Sequence, residues 1–254
     1  MMRLFLTELK KTRHRHIGLL YTASLCLMMV WSLWAMSRMQ EKNDVVMQQG
    51  YYYLLANFPI MDSFFLPVII ACVESRLCDM ELKGNTFKLL CTMQPRRSIF
   101  HIKLFLSFLY LLFFTLAQTA LIYVLCRRFH VAQPAPLENI LLFFLASLTV
   151  GMVLIVIQQS LSLISYNQLF PLFVGVGGTF AGIFSGFFPQ MPVKYLLPWT
   201  YYSVFLTVSL DYEEASRIVT YYPVPFAVPF FIGFVVFGII AYLIGKDRFM
   251  KKEV

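Results

Sequence analysis

Ile140–Ser165 reads ILLFFLASLTVGMVLIVIQQSLSLIS, and none of these residues is charged. As a helix it would rise about 39 Å. The hydrocarbon core of a bilayer is about 30 Å thick and takes roughly 20 apolar residues to cross. A block of this length exceeds what a soluble core requires, so it reads as a membrane span. Five more blocks read the same way: Ile17–Met36, Phe58–Val73, Ile99–Cys126, Phe170–Phe188 and Phe226–Gly245. The second is short and carries Asp62. Composition agrees. The hydrophobic fraction is 59% and the mean hydropathy is +0.70, against roughly 45–50% apolar residues in soluble domains. The expected fold is an all-α integral membrane protein, one permease-like domain over residues 1–254 with six transmembrane helices.

Orientation follows from Lys and Arg, which favour cytoplasmic loops. Arg3, Lys10, Lys11, Arg13 and Arg15 precede the first span. Arg76, Lys83, Lys88, Arg96, Arg97 and Lys103 lie around the loop between the second and third. Lys246, Arg248, Lys251 and Lys252 follow the sixth. Together they are 15 of the 21 basic residues. Both termini and the loop at residues 74–98 are therefore expected inside. The net charge of +8 becomes a belt beside anionic lipid. Nucleic-acid binding fits less well, because the basic residues are split among three segments and form no single patch.

The amino terminus has a basic region followed by an apolar run, as a secretory signal does. The run is as long as a full span, and Trp34-Ala35-Met36-Ser37-Arg38 is a poor cleavage site. It reads as an uncleaved span. Before it, Met1–His16 places Leu4, Phe5 and Leu9 near one helical face. This is either a short amphipathic interfacial helix or a basic tail.

The loop after the second span carries the functional reading. Glu74–Arg97 reads ESRLCDMELKGNTFKLLCTMQPRR, with Lys103 shortly after. It is short, basic and mildly amphipathic. Glu81, Gly84, Thr86, Phe87, Lys88, Leu89 and Leu90, followed by Pro95, Arg96 and Arg97, make sense as a docking element offered to a cytoplasmic partner. In the fifth span Gly178, Gly182 and Gly186 recur four apart and form a smooth stripe, where small residues let another helix approach closely. The neighbour is either in the same chain or in a second subunit. At the end of the fourth span Gln158, Gln159 and Asn167 either satisfy backbone at a tight inner turn or line a path. The segment Phe187–Pro225 holds Pro189, Pro192, Pro198 and Pro223 among many aromatics. Prolines break continuous helix there, so it reads as re-entrant or interfacial helices, or as an apolar loop lying on lipid.

Catalysis finds little support. Glu213-Glu214-Ala215-Ser216-Arg217 is similar to the paired-glutamate signature of some intramembrane proteases. It is one residue short before the Arg, lies in an outer loop and has no span-embedded His beside it. A nucleotide-binding loop needs glycines before Gly-Lys-Ser/Thr, and the one Gly-Lys pair, Gly245-Lys246, is followed by Asp247. The four histidines, His14, His16, His101 and His130, do not cluster with carboxylates at metal-ligand spacing. The five cysteines contain no C-x-x-C pair, so neither a zinc site nor a disulfide framework is indicated.

Taken together, six spans with both ends inside, a basic amphipathic start and the loop Glu81-Leu-Lys-Gly84-Asn85-Thr86-Phe-Lys88-Leu89-Leu90 with Pro95-Arg96-Arg97 resemble the ABC-2-type transporter permeases. Asn85 separates the Gly and Thr that are adjacent in the family pattern. Ser162-Leu-Ile-Ser-Tyr-Asn167-Gln168-Leu-Phe-Pro171, then Gly175, Gly178-Thr179-Phe180-Ala-Gly182 and Leu197-Pro198-Trp199, resemble the lantibiotic-immunity (bacteriocin self-protection) permeases. The resemblance implies a coupling helix in the loop that docks on a separate ATP-binding subunit. It implies two copies of that subunit, which bind the ATP and Mg, so the chain itself carries no cofactor and is not an enzyme. It further implies a second six-span permease as partner, a bacterial plasma membrane location, and antimicrobial peptide as the substrate expelled. A sensory or structural membrane subunit without a transport cycle is the alternative.

Overall fold

The computed structural model describes residues 9, 10, 12, 16–42, 49–83, 94–187, 192–213 and 218–252. Side chains at 39–42, 80–83, 186–187, 192–193, 213 and 218 lie outside that description. Among the described residues six long helices follow one another: α1 (Ile17–Lys42), α2 (Gly50–Lys83), α3 (Arg96–Arg128), α4 (Leu137–Ile164), α5 (Leu169–Phe187) and α6 (Val228–Lys251). Five of them, α1, α2, α3, α4 and α6, are long and apolar enough to cross a membrane. The remaining helix, α5, is 19 residues long, about 28 Å at 1.5 Å per residue. Its described apolar part, Leu169–Ser185, is shorter than a full span.

α2 differs most from its expected bounds. The sequence suggested Phe58–Val73, and the helix runs from Gly50 to Lys83 with Pro59 and Pro67 inside it. Each proline removes one donor from the helix ladder, yet membrane helices tolerate proline because neighbours re-satisfy the backbone. α2 and α4 lie at the centre. Leu54, Leu55, Phe58, Leu66, Ile70 and Val73 of α2 are buried, and so are Val150, Leu154 and Ile155 of α4. α6 is peripheral, with Phe234, Gly238, Gly245 and Phe249 as its buried residues.

Helix ends follow local chemistry. α3 finishes with Arg127 and Arg128, whose charge suits the negative end of the helix dipole. His130 then takes a left-handed φ of 52°. Its N–H donates to the Arg127 carbonyl at 3.3 Å, and the Val131 N–H donates to the Cys126 carbonyl at 3.0 Å. This is a Schellman closure, usually made at glycine. It turns Val131 onto Gly50, where an added Cβ would lie 2.6 Å from Val131 Cγ2. Gln133 in the same loop accepts the Tyr51 N–H at 3.1 Å, satisfying one of the orphan donors at the start of α2.

The segment between α5 and α6 is not purely helical, as the sequence reading had it. It contains two 3-10 turns (Pro192–Tyr195 and Pro198–Thr200) and a four-residue helical turn, Tyr201–Val204. An antiparallel hairpin of β1 (Val208–Glu213) and β2 (Ile218–Pro223) follows. β-branched and aromatic residues favour strands, and β2 reads IVTYYP. The hairpin packs back on the bundle. Tyr221 meets Tyr53 edge-on at 5.7 Å, its N–H donates to Gln49 Oε1 at 2.9 Å, and Asn139 Nδ2 donates to the Thr207 carbonyl at 3.1 Å. Tyr201 stacks on Phe234 of α6 at 4.0 Å. This aromatic cap, the start of α2 and the α3–α4 loop share one end of the bundle.

The other end is basic. It gathers the end of α2, the start of α3, the α4–α5 turn and the end of α6.

Candidate functional site

The predicted docking element lies mostly outside the described residues. This applies to the side chain of Glu81 and to Gly84, Thr86, Phe87, Lys88, Leu89 and Leu90. Its exit is visible. Pro95 has extended backbone and opens α3. Arg96 then turns onto the end of α6, where Nη1 donates to the carbonyls of Met250 at 2.9 Å and Lys252 at 2.6 Å. The last carbonyls of a helix have no partner within it, so a guanidinium there satisfies them and complements the dipole. Arg97, the next predicted site residue, is exposed.

From Arg96 the contacts continue. Lys252 Nζ donates to the Leu163 carbonyl of α4 at 2.9 Å and lies over the Tyr166 ring at 4.3 Å. Gln159 Nε2 donates to the Phe100 carbonyl of α3 at 2.8 Å. Lys103 is 1% exposed and donates to the Leu77 carbonyl of α2 at 2.7 Å. Glu74, one turn earlier on α2, is fully buried. Lys103 acts on it electrostatically. The entry and exit of the 74–98 loop are thus tied to α2, α3, α4 and α6 through polar contacts in one layer.

The other predicted polar residues have backbone partners. Gln158, with its amide oriented to satisfy both atoms, donates to the Pro171 carbonyl at 3.0 Å and accepts the Gly175 N–H at 3.1 Å. It therefore addresses both groups of one rung of α5. An added Cβ on Gly175 would lie 2.6 Å from the Gln158 side-chain amide and against Ala71 Cβ. Asn167 Oδ1 accepts the Leu169 N–H at 2.9 Å, serving an orphan donor at the start of α5. These contacts hold the α4–α5 turn.

Of the glycine stripe, Gly178 and Gly182 face Trp199 of the capping segment. An added Cβ would lie 2.2 Å from Trp199 Cε2 at Gly178, and 3.1 Å from Trp199 Cβ at Gly182. What Gly186 faces lies outside the described residues.

A second polar cluster sits deeper. Asp62 on α2 is fully buried. Gln118 Nε2 of α3 donates to its Oδ1 at 2.5 Å, and Ser147 Oγ of α4 donates to its Oδ2 at 3.2 Å. Tyr202, just outside the helices, is buried nearby. Burial, the Asp62 charge and the Tyr21 phenol together hold its own phenol well above the usual range. Ionisable residues within spans are costly and mark functional positions. That signal is present in the sequence at Asp62, the one acid in the second apolar block. The identity of its donors was not available, since Gln118 and Ser147 are distant in sequence. Among the described residues no three of His, Cys, Asp or Glu gather within reach of one metal ion.

No curated protein and no solved structure matches the chain. A family model described as "ABC-2 family transporter protein" matches residues 4–182. That match spans most of the chain, from the first basic segment into the fifth helix, and includes the 74–98 loop and the α4–α5 turn. The chain is a multi-pass membrane protein that belongs to the ABC-2 family of transporter permeases.

Proposed function

We propose that this chain is the membrane-spanning permease subunit of an ABC transporter that expels antimicrobial peptides of the lantibiotic or bacteriocin type from a bacterial plasma membrane. A separate ATP-binding subunit, present in two copies, docks on the loop at residues 74–98 and supplies ATP hydrolysis. A second six-span permease completes the conduit. All six long helices cross the membrane, α5 included, and the basic end faces the cytoplasm, because that end collects most of the Lys and Arg.

The observation that carries this reading is the polar layer beneath the loop. A partner pressing on the loop moves Arg96 and Leu77. Arg96 is bonded to the end of α6, and the Leu77 carbonyl is bonded to Lys103 of α3. Lys252 passes the connection to α4. A push at one loop is thereby shared by four helices. The peptide specificity rests on the resemblance of Ser162–Gly182 and Leu197-Pro198-Trp199 to the lantibiotic-immunity permeases.

The test is vanadate-sensitive peptide efflux from cells expressing the permeases with their ATP-binding subunit. Glu81→Lys and Leu89→Asp are expected to leave membrane insertion intact and to uncouple ATP hydrolysis from peptide resistance. Full resistance in both variants would make the loop a solvated linker and overturn the docking role. A complex that hydrolyses ATP and moves no peptide of this class would overturn the substrate.

A further inference from the structure

α3 and α6 are joined at the basic end and part above it. His101 Nε2 and Tyr242 Oη are hydrogen-bonded at 2.7 Å, and their rings stack at 6.2 Å. Above Tyr242 a cleft of about 390 Å³ opens between α3, α4 and α6. Its walls include Leu104, Phe108, Met152, Val156, Val235 and Ile239, and they are almost wholly apolar. On α6 it runs from Val235 to Tyr242, about 10 Å along the axis. At Gly238, which lines the cleft, α6 comes close to α4: an added Cβ would lie 2.6 Å from Val153 Cγ2.

The mouth of this cleft is cationic. Lys246 Nζ lies 5.6 Å from the centre of the Tyr242 ring. Lys246 and Arg97 both act electrostatically on His101. Asp247, the adjacent acid, is paired with Lys251 at 2.8 Å. An apolar slot with two cations and an imidazole near its rim has the polarity of one anionic phospholipid. Basic pockets between membrane helices recognise such headgroups, and a basic side chain beside an anionic lipid surface is worth about fivefold in affinity.

We propose that the α3–α4–α6 cleft is a binding site for an anionic diacyl phospholipid of the leaflet on the basic side. One acyl chain lies against Leu104, Met152 and Ile239, and the headgroup phosphate sits between Lys246 and Arg97. The lipid fills the space that would otherwise let α6 move toward α3. This inference is independent of the substrate; it shares Arg97 with the docking loop, and binding of lipid to the chain alone is read without the ATP-binding partner.

The experiment is native mass spectrometry of the full-length chain in detergent, titrated with dioleoylphosphatidylglycerol or dioleoylphosphatidylcholine. The wild type is expected to prefer the glycerol lipid by about tenfold or more, from two cations. Lys246→Gln combined with Arg97→Gln should bring the two lipids to parity. Ile239→Trp fills the slot from a position that is 54% exposed, and it should remove tight binding of both lipids. Equal binding of the two lipids by wild type would overturn the proposal. So would a glycerol preference that survives loss of both charges, or wild-type binding in the tryptophan variant.

Discussion

Two adjacent glycines in α5 separate a packing role from ordinary helix composition. A Cβ added to Gly178 would stand 2.2, 2.4 and 2.6 Å from three carbons of the Trp199 indole. Carbon atoms settle at about 3.5–4.0 Å, so the ring would have to retreat by more than about 1 Å. The Trp199 backbone also lies 3.2 Å from where a Cβ on Gly182 would stand. Overpacking of this kind costs about 1–3 kcal/mol. At Gly177 an added Cβ meets nothing within 4 Å. There alanine gains roughly 0.5–1 kcal/mol from reduced backbone freedom. The backbone gain applies at both sites, so Gly178→Ala should be less stable than Gly177→Ala by the overpacking cost, roughly 1–3 kcal/mol. Thermal unfolding of the purified chain in detergent, followed by fluorescence, measures the order. Trp199→Ala in the Gly178→Ala background should recover part of the loss, because the two side chains compete for one space. If Gly178→Ala matches Gly177→Ala, or if removing the indole gives no recovery, the reasoning about this contact fails.

Three further outcomes are expected. Single cysteines at Asp44 and Glu213 should be labelled from outside the cell, and those at Lys83 and Lys251 from inside; outside labelling at Lys83 would reverse the orientation and remove the docking argument. Arg96→Met deletes two bonds to the end of α6 and should cost about 1–2 kcal/mol, since hydrogen bonds to charged groups are among the stronger ones. It should also reduce peptide-stimulated ATP hydrolysis while Arg96→Lys restores part of it, and unchanged stimulation in Arg96→Met would sever α6 from the loop. Asp62→Leu removes the acceptor of the buried Gln118 amide and Ser147 hydroxyl, at about 1–3 kcal/mol for a lost partner. Adding Gln118→Leu should then restore stability, and a double variant no better than Asp62→Leu would mean the amide finds another acceptor.

The comparison of sequence with structure turns on range. Ile140–Ser165 and the blocks like it declared long apolar helices because their length and lack of charge leave a bilayer as the fitting solvent. The Lys and Arg bias marked one set of segments in the same way, and the described residues beside two of them, the end of α2, the start of α3 and the end of α6, lie at one end of the bundle. Glu81 to Arg97 looked like a docking element from composition and spacing, and the structure describes its exit at Arg96. The hairpin Val208–Pro223 was missed because its apolar and aromatic residues also suit an interfacial segment, and proline drew attention to helix breaking. Sequence periodicity cannot say that Tyr221 will find Tyr53 and Gln49.

Partners at long range were decided by tertiary structure alone. The glycine spacing showed a smooth face, but only the packed chain places Trp199 against Gly178 and Gly182. Asp62 announced itself as an ionisable group in a span, while Gln118 and Ser147 became its donors only when three helices closed around it. Arg96 reaches Met250 and Lys252 across more than half the chain. Local chemistry thus fixed what each segment is, because hydropathy, helix ends and turn residues act over a few positions. Packing fixed what each segment touches, because buried polar groups must find hydrogen-bond partners wherever the fold brings them.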